Sequence, residues 1–147
     1  LSRNINRVAI YRVALAFPPK MLNDDTRVLS DLVNGGIDNG VVTLNGGANL
    51  IRQYQYGVNA IYKTLGSLYN GHSILYNNSG SHILTLGELA KTISSILNVD
   101  CEINDKNQDQ TSPKAVLIDN NLINKESSYQ LDKEETLETY LKLMING

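Results

Sequence analysis

From Arg7 to Phe17 the chain is rich in Val, Ile, Tyr and Ala without a clean alternation of apolar and polar positions, and Pro18-Pro19 ends the run. A strand shielded from water on both faces reads this way. Such strands belong to parallel sheets layered between helices, not to half-solvated antiparallel sheets. The remaining sequence supplies those helices. Asn23 or Asp24 is placed to cap one on Val28, Leu29, Leu32 and Val33, closed by Gly35-Gly36. A short strand over Val41 to Leu44 runs into the turn signal Asn45-Gly46-Gly47. Val58, Ile61, Leu65 and Leu68 mark one face of a second helix that ends near Tyr69-Asn70-Gly71, and Ser73 to Asn77 forms another buried strand.

The sharpest local signal is Thr85-Leu86-Gly87-Glu88. A threonine with a glutamate three residues later lets each side chain bond the other's backbone N–H, and Leu86, Leu89, Ala90, Ile93, Ile96 and Leu97 continue as an amphipathic stripe. Residues 101 to 104 predict a short strand, Asn104 to Lys114 a polar loop, and Ala115 to Ile118 a last strand. Asp119 is placed to cap a brief helix through Ile123. Asp132 with Glu135 is placed to start a final one on Leu137, Tyr140, Leu141, Met144 and Ile145. The order is α/β, with no internal repeat.

A chain of 147 residues is the size of one domain and buries roughly 70% of its unfolded surface without a staple. The single cysteine, Cys101, has no partner for a disulfide and no zinc spacing around it, which fits a reducing, cytoplasmic setting. Thirteen basic and fifteen acidic residues, scattered along the chain, argue against a nucleic-acid footprint and for a small-molecule ligand. The apolar runs are far shorter than the roughly 20 residues that span a bilayer, so no membrane partner is expected. The first residues, Leu1 to Arg7, lack the layout of a secretion signal and do not open on methionine, so the expectation is a piece of a longer protein. His72 and His82 stand apart from any carboxylate or cysteine cluster, read as turn or surface residues, and predict no metal.

Four segments together resemble the extended short-chain dehydrogenase/reductases, the family of NAD-dependent sugar-nucleotide epimerases and dehydratases. Arg7-Val-Ala-Ile-Tyr-Arg-Val-Ala-Leu-Ala-Phe-Pro18 is similar to that family's R-x-x-N-x-Y-G-P strand. Val42-Thr-Leu-Asn-Gly-Gly-Ala-Asn-Leu-Ile-Arg-Gln-Tyr54 resembles G-x-G-x-x-x-R-D-(F/Y). Ser73-Ile-Leu-Tyr-Asn-Asn-Ser-Gly80 with Leu84-Thr-Leu-Gly-Glu-Leu-Ala90 resembles Y-N-x-G-x-G followed by S-x-x-E-L-A, and Leu117-Ile-Asp119 resembles D-x-S-K.

The resemblance implies the carboxy-terminal portion of a Rossmann-like fold over residues 1–147: parallel strands with helices plus a small substrate-binding α/β subdomain. The amino-terminal, dinucleotide-binding half is absent. It implies a nucleotide-sugar ligand, NAD or NADP held by that missing half, a homo-oligomer, and no catalytic residue in this chain. No glycine-rich phosphate turn occurs. One Tyr-x-x-x-Lys does occur, Tyr129 to Lys133, but Asp132 and Glu135 put a helix start between its two residues, so it reads as coincidence.

The resemblance gives three residues ligand roles. Arg52 is the clamp on the diphosphate, chemistry that suits a guanidinium fork, its alternative being a surface ion pair. Leu44 packs on the base or stays in the core, and Tyr54 bonds a ribose or phosphate or packs its ring. Arg12, within the buried strand, calls for a structural partner. Two departures stand out. Leu15 replaces the family's substrate-touching asparagine, and the polar loop offers Lys106 and Lys114 where the family has a second arginine. These point to a divergent substrate, or to a non-catalytic binding or regulatory module of the same origin. A half of this kind, alone, is expected to expose the apolar face that its other half covers.

Overall fold

The computed structural model describes residues 8–21, 24–70, 75–105, 112–128 and 135–146. The elements run β1 (Ile10–Val13), β2 (Leu15–Phe17), α1 (Val28–Asn39), β3 (Val41–Asn45), β4 (Ile51–Tyr56), α2 (Gly57–Asn70) and β5 (Leu75–Asn78). After these come β6 (His82–Thr85), α3 (Leu86–Leu97), β7 (Asp100–Asn104), β8 (Ala115–Val116), α4 (Asn121–Glu126) and α5 (Leu137–Asn146). The strand pairs β1 with β5, β2 with β4, β3 with β7 and β4 with β8 are all parallel, which bears out the α/β class. The chain divides into two compact units. The first holds the described residues within Leu1–Phe17, Gln53–Ser81 and Leu117–Glu134, the second those within Pro18–Arg52, His82–Val116 and Glu135–Gly147.

In the first unit the single strand expected over Arg7 to Phe17 breaks at Ala14 and changes partner. Ile10 to Val13 pair with Leu75 to Asn78, and Leu15 to Phe17 pair with Tyr54 to Tyr56. Only Phe17 is fully buried, while Ile10, Arg12, Val13 and Leu15 are exposed, so Arg12 is not the interior cation its sequence setting suggested. Tyr11 and Tyr76, register partners, stack with centroids 5.3 Å apart. The Tyr11 hydroxyl donates to Thr64 O at 3.0 Å, and that of Tyr76 to the Glu126 carboxylate at 2.6 Å, so α2 and α4 cover this face of the β1–β5 pair.

The inward face of α2 is not its apolar stripe. Asn59, Ala60, Lys63 and Ser67 are buried, and Ile61 and Leu65 are 59% and 56% exposed. Hydrogen bonding overrides the apolar stripe. Buried Asn78 donates through Nδ2 to Ala60 O at 2.8 Å and Thr64 Oγ1 at 2.9 Å, and small Ala60 and Ser67 let the helix sit close. Around it, Gln53 Nε2 donates to Gly80 O at 2.7 Å, Ile118 N–H donates to Gln53 Oε1 at 2.7 Å, and Asn120 Nδ2 donates to Ser79 O at 2.8 Å. Asp119 accepts the Asn121 N–H at 2.9 Å at the head of α4, which runs past Ile123 to Glu126.

The second unit is built on β3 and β7, paired from Val41–Asp100 to Asn45–Asn104, with α1 and α3 packed against β3 and α5 against α3. Helix α1 continues through Gly35-Gly36 and stops at Gly40, whose φ of 69° supplies the left-handed cap. Gly36 is an interior packing position instead: a Cβ there would lie 2.5 Å from Leu97 Cδ1 and 3.0 Å from Val42 Cγ2. Arg27, not Asp24, stands at the N-cap, and the Asp25 carboxylate grips its guanidinium. That hydrogen-bonded pair holds the Asp25 carboxyl well below the usual carboxylate range. The other expected cap, Asn23, lies outside the described residues.

Helix α3 starts as the sequence predicts. Glu88 N–H donates to Thr85 Oγ1 at 3.1 Å and Thr85 N–H to Glu88 Oε2 at 2.7 Å, and these bonds keep the Glu88 carboxyl below its ordinary value. Thr85→Ala is expected to lower stability by about 1 kcal/mol, read from chemical denaturation midpoints. Asp132 lies outside the described residues, and the Thr139 N–H at the start of α5 donates to Thr136 Oγ1 at 3.2 Å. Strand β6 was not anticipated. It makes His82 a half-buried strand residue, edge-on to Tyr140 at 5.8 Å. His72, the segment 106–111 with Lys106, and the Tyr129–Lys133 motif lie outside the described residues.

Candidate functional site

The turn after β3 needs two consecutive left-handed residues, Gly46 at φ 85° and Gly47 at φ 69°, which only glycine adopts without strain. Gly46 N–H donates to Asn104 O at 2.8 Å, and the chain then folds over the start of α3. Leu86 N–H donates to Leu50 O at 3.0 Å, Gly87 N–H to Ala48 O at 2.9 Å, and Glu88 N–H is held by Thr85. Gly87 is packed so closely that a Cβ would lie 3.2 Å from Ala48 O. The first amides of α3, a natural seat for phosphate, are therefore occupied. At α1 the Asp25 carboxylate accepts the Arg27 N–H at 3.1 Å, placing a negative charge where an anion would sit. At these two helix starts the amides are thus not free for the pyrophosphate of a dinucleotide.

From this turn β4 begins, and Arg52 is its second residue. Ile51 N–H donates to Lys114 O at 2.7 Å, and Ile51 and Arg52 pair with Ala115 and Val116. The half-buried guanidinium donates from Nη1 to Ile51 O at 2.8 Å and Pro113 O at 3.1 Å. Among the described residues it has no other partner and no carboxylate, so Nε and Nη2 keep their donors. Among the described residues no carboxylate supplies the ion-pair alternative for Arg52. Two carbonyls fix the fork, and its remaining N–H groups match two oxygens of an anion.

The other two candidates sit differently. Leu44 is 5% exposed, one of the two buried positions of β3, in register with Ile103. Tyr54, in the first unit, is also 5% exposed and pairs with Leu15. Leu15 itself, at the place of the family's asparagine, presents an exposed apolar side chain. The part that Pro113 and Lys114 play in holding Arg52 and Ile51 is not visible in the sequence, because they act through backbone carbonyls and no side-chain pattern marks such a role. In the second unit a polar hollow of about 450 Å³ is lined by Gly40, Ser94, Ser95, Asn98, Val99 and Asp100. It lies at the carboxy-terminal ends of α1 and α3 beside Asp100, surroundings that disfavour an anion. Among the described residues no group of His, Cys, Asp or Glu is placed to hold a metal ion, and no helix is long and apolar enough to cross a membrane.

No family model and no curated protein matches the sequence. Solved structures do match the fold. UDP-glucose 4-epimerase of Thermotoga maritima, in complex with UDP-glucose, is 18% identical with a TM-score of 0.80, over 95% of this chain and 45% of that one. The dTDP-glucose 4,6-dehydratase of Bacillus anthracis, in complex with NAD, is 16% identical with a TM-score of 0.74, over 95% and 43%. RMD of Pseudomonas aeruginosa, complexed with NADPH, is 14% identical with a TM-score of 0.78, over 95% and 48%. The chain thus has the fold of the carboxy-terminal part of extended short-chain dehydrogenase/reductases and spans less than half the length of these structures.

Proposed function

We propose that this chain is the nucleotide-sugar-binding portion of a cytoplasmic, homo-oligomeric NAD(P)-dependent epimerase, dehydratase or reductase. Its dinucleotide-binding and catalytic half lies outside residues 1–147. The observation that carries the reading is Arg52: a guanidinium anchored by two carbonyls, without a carboxylate among the described residues, on a fold otherwise found in nucleotide-sugar enzymes. In this reading Arg52 grips the diphosphate, Leu44 packs its apolar side chain on the base, and the Tyr54 hydroxyl bonds a ribose or phosphate oxygen. NAD or NADP, bound by the other half, supplies the hydride chemistry, and the side chains here bind and orient the sugar nucleotide.

Titration calorimetry of the complete protein tests this. Arg52→Ala is expected to weaken UDP binding about ten- to a hundredfold, the range for hydrogen bonds to a charged group, and to leave NAD(H) binding unchanged. Equal UDP affinity in wild type and variant overturns the reading. A second reading, a binding or regulatory module without chemistry, is favoured by Leu15 in place of the asparagine. It is the one to adopt if UDP binds through Arg52 while NAD and NADP do not bind at all.

A further inference from the structure

The dipeptide Asn-Gly occurs five times, at Asn34, Asn39, Asn45, Asn70 and Asn146. In this pair the asparagine side chain is open to attack by its own backbone, because glycine carries no Cβ to shield its nitrogen. At Asn70 and Asn146 the glycine lies outside the described residues. The other three pairs have different surroundings. Asn34 and Gly35 are half-buried inside α1, where helical bonds before and after them fix the asparagine ψ. Asn45 ends β3 in register with Asn104, whose Nδ2 donates to Asn45 Oδ1 at 3.2 Å, and buried Gly46 gives its N–H to Asn104 O at 2.8 Å. Side-chain amide and attacking nitrogen are both tied there. Asn39 is the last residue of α1, held by the helix from one side only, and its carbonyl is among the last four, which have no intrahelical donor. Asn39 and Gly40 are exposed, no described group bonds the Asn39 side chain, and a Cβ at Gly40 would meet nothing within 4 Å.

We infer that Asn39-Gly40 is a site of spontaneous covalent modification, at which the fold lets asparagine convert to aspartate and isoaspartate while it protects Asn34 and Asn45. The Gly40 nitrogen gives up its proton and bonds to Asn39 Cγ. The Cγ–NH2 bond breaks, and the nitrogen leaves as ammonia with that proton. A five-membered imide remains. Water opens it at the side-chain carbonyl to give aspartate, or at the main-chain carbonyl to give isoaspartate, so the net change is gain of water and loss of ammonia. Either product places a carboxylate beside Asp38 at the negative end of α1, whose last turn holds no basic residue. Isoaspartate also inserts a main-chain carbon at the turn where Gly40, at φ 69°, leads α1 into β3. The modified chain is therefore less stable than the parent.

One tryptic peptide, Val28 to Arg52, carries all three described pairs and reads them against each other. The complete protein is aged at physiological temperature in mildly alkaline buffer, folded and in urea, then digested and sequenced by tandem mass spectrometry. Each conversion adds about 1 Da, the exchange of an amide for a carboxyl. The expected result is conversion at Asn39 at least about tenfold faster than at Asn34 or Asn45 in the folded protein, with the three rates converging in urea. Equal rates in the folded protein overturn the inference. So does a preference for Asn39 that persists in urea, since the selectivity then belongs to the neighbouring residues and not to the fold. Asn39→Gln, whose longer side chain disfavours the five-membered ring, is the stable reference. Aged wild type is expected to unfold at lower urea than aged Asn39→Gln, and equal midpoints overturn the loss of stability.

Discussion

Gly80→Ala is expected to lower stability by about 3 kcal/mol or more, and the melting temperature by on the order of 10 °C. The glycine is not needed for its backbone angles, since among the described residues the glycines with positive φ are Gly40, Gly46 and Gly47. Space is the reason. A Cβ at position 80 would press on Tyr54 O and lie 2.6 Å from Gln55 Cβ and 2.8 Å from Gln55 Cα. Backbone cannot swing aside like the end of a side chain, so the alanine displaces either β4 or the segment after β5. That displacement also breaks the bond from Gln53 Nε2 to Gly80 O and strains the one from Ile118 N–H to Gln53 Oε1. Thermal unfolding followed by circular dichroism reads the effect, and an unchanged midpoint contradicts this packing.

Ile93→Ala is expected to cost about 3 kcal/mol. Ile93 is fully buried in α3, the helix that packs against α1, β3, β7 and α5 and so joins every layer of the second unit. Removing its outer carbons opens a hole among rigid neighbours, and Leu89 and Ala90, also fully buried, leave little freedom to refill it. Urea denaturation gives the number. A loss below about 1 kcal/mol shows that the layers relax around the site.

Where local chemistry decides structure, the sequence was legible. Thr85 and Glu88 cap each other whatever surrounds them, and Leu89, Ala90 and Ile93 fall on the buried side of α3 as their spacing requires. Parallel pairing followed from apolar strands ended by turn residues. Where structure depends on a distant partner, reading failed. Gly36 looks like a helix stop but is a point of approach to Leu97, which spacing along the chain cannot reveal. The stripe on α2 is visible in the sequence but the side it faces is not, because the position of Asn78 decides which face turns inward. Arg52 is singled out in the sequence by its setting among motif residues, but its anchor at Pro113 leaves no trace in residue type.

That anchor has an evolutionary corollary. Because the guanidinium is steered by main-chain oxygen, almost any amino acid can replace its neighbours without turning it away. Pro113 and Lys114 are thereby released to change in side chain, while their carbonyl oxygens keep hold of the guanidinium and of the start of β4. Side-chain change around a main-chain anchor needs no compensating change elsewhere.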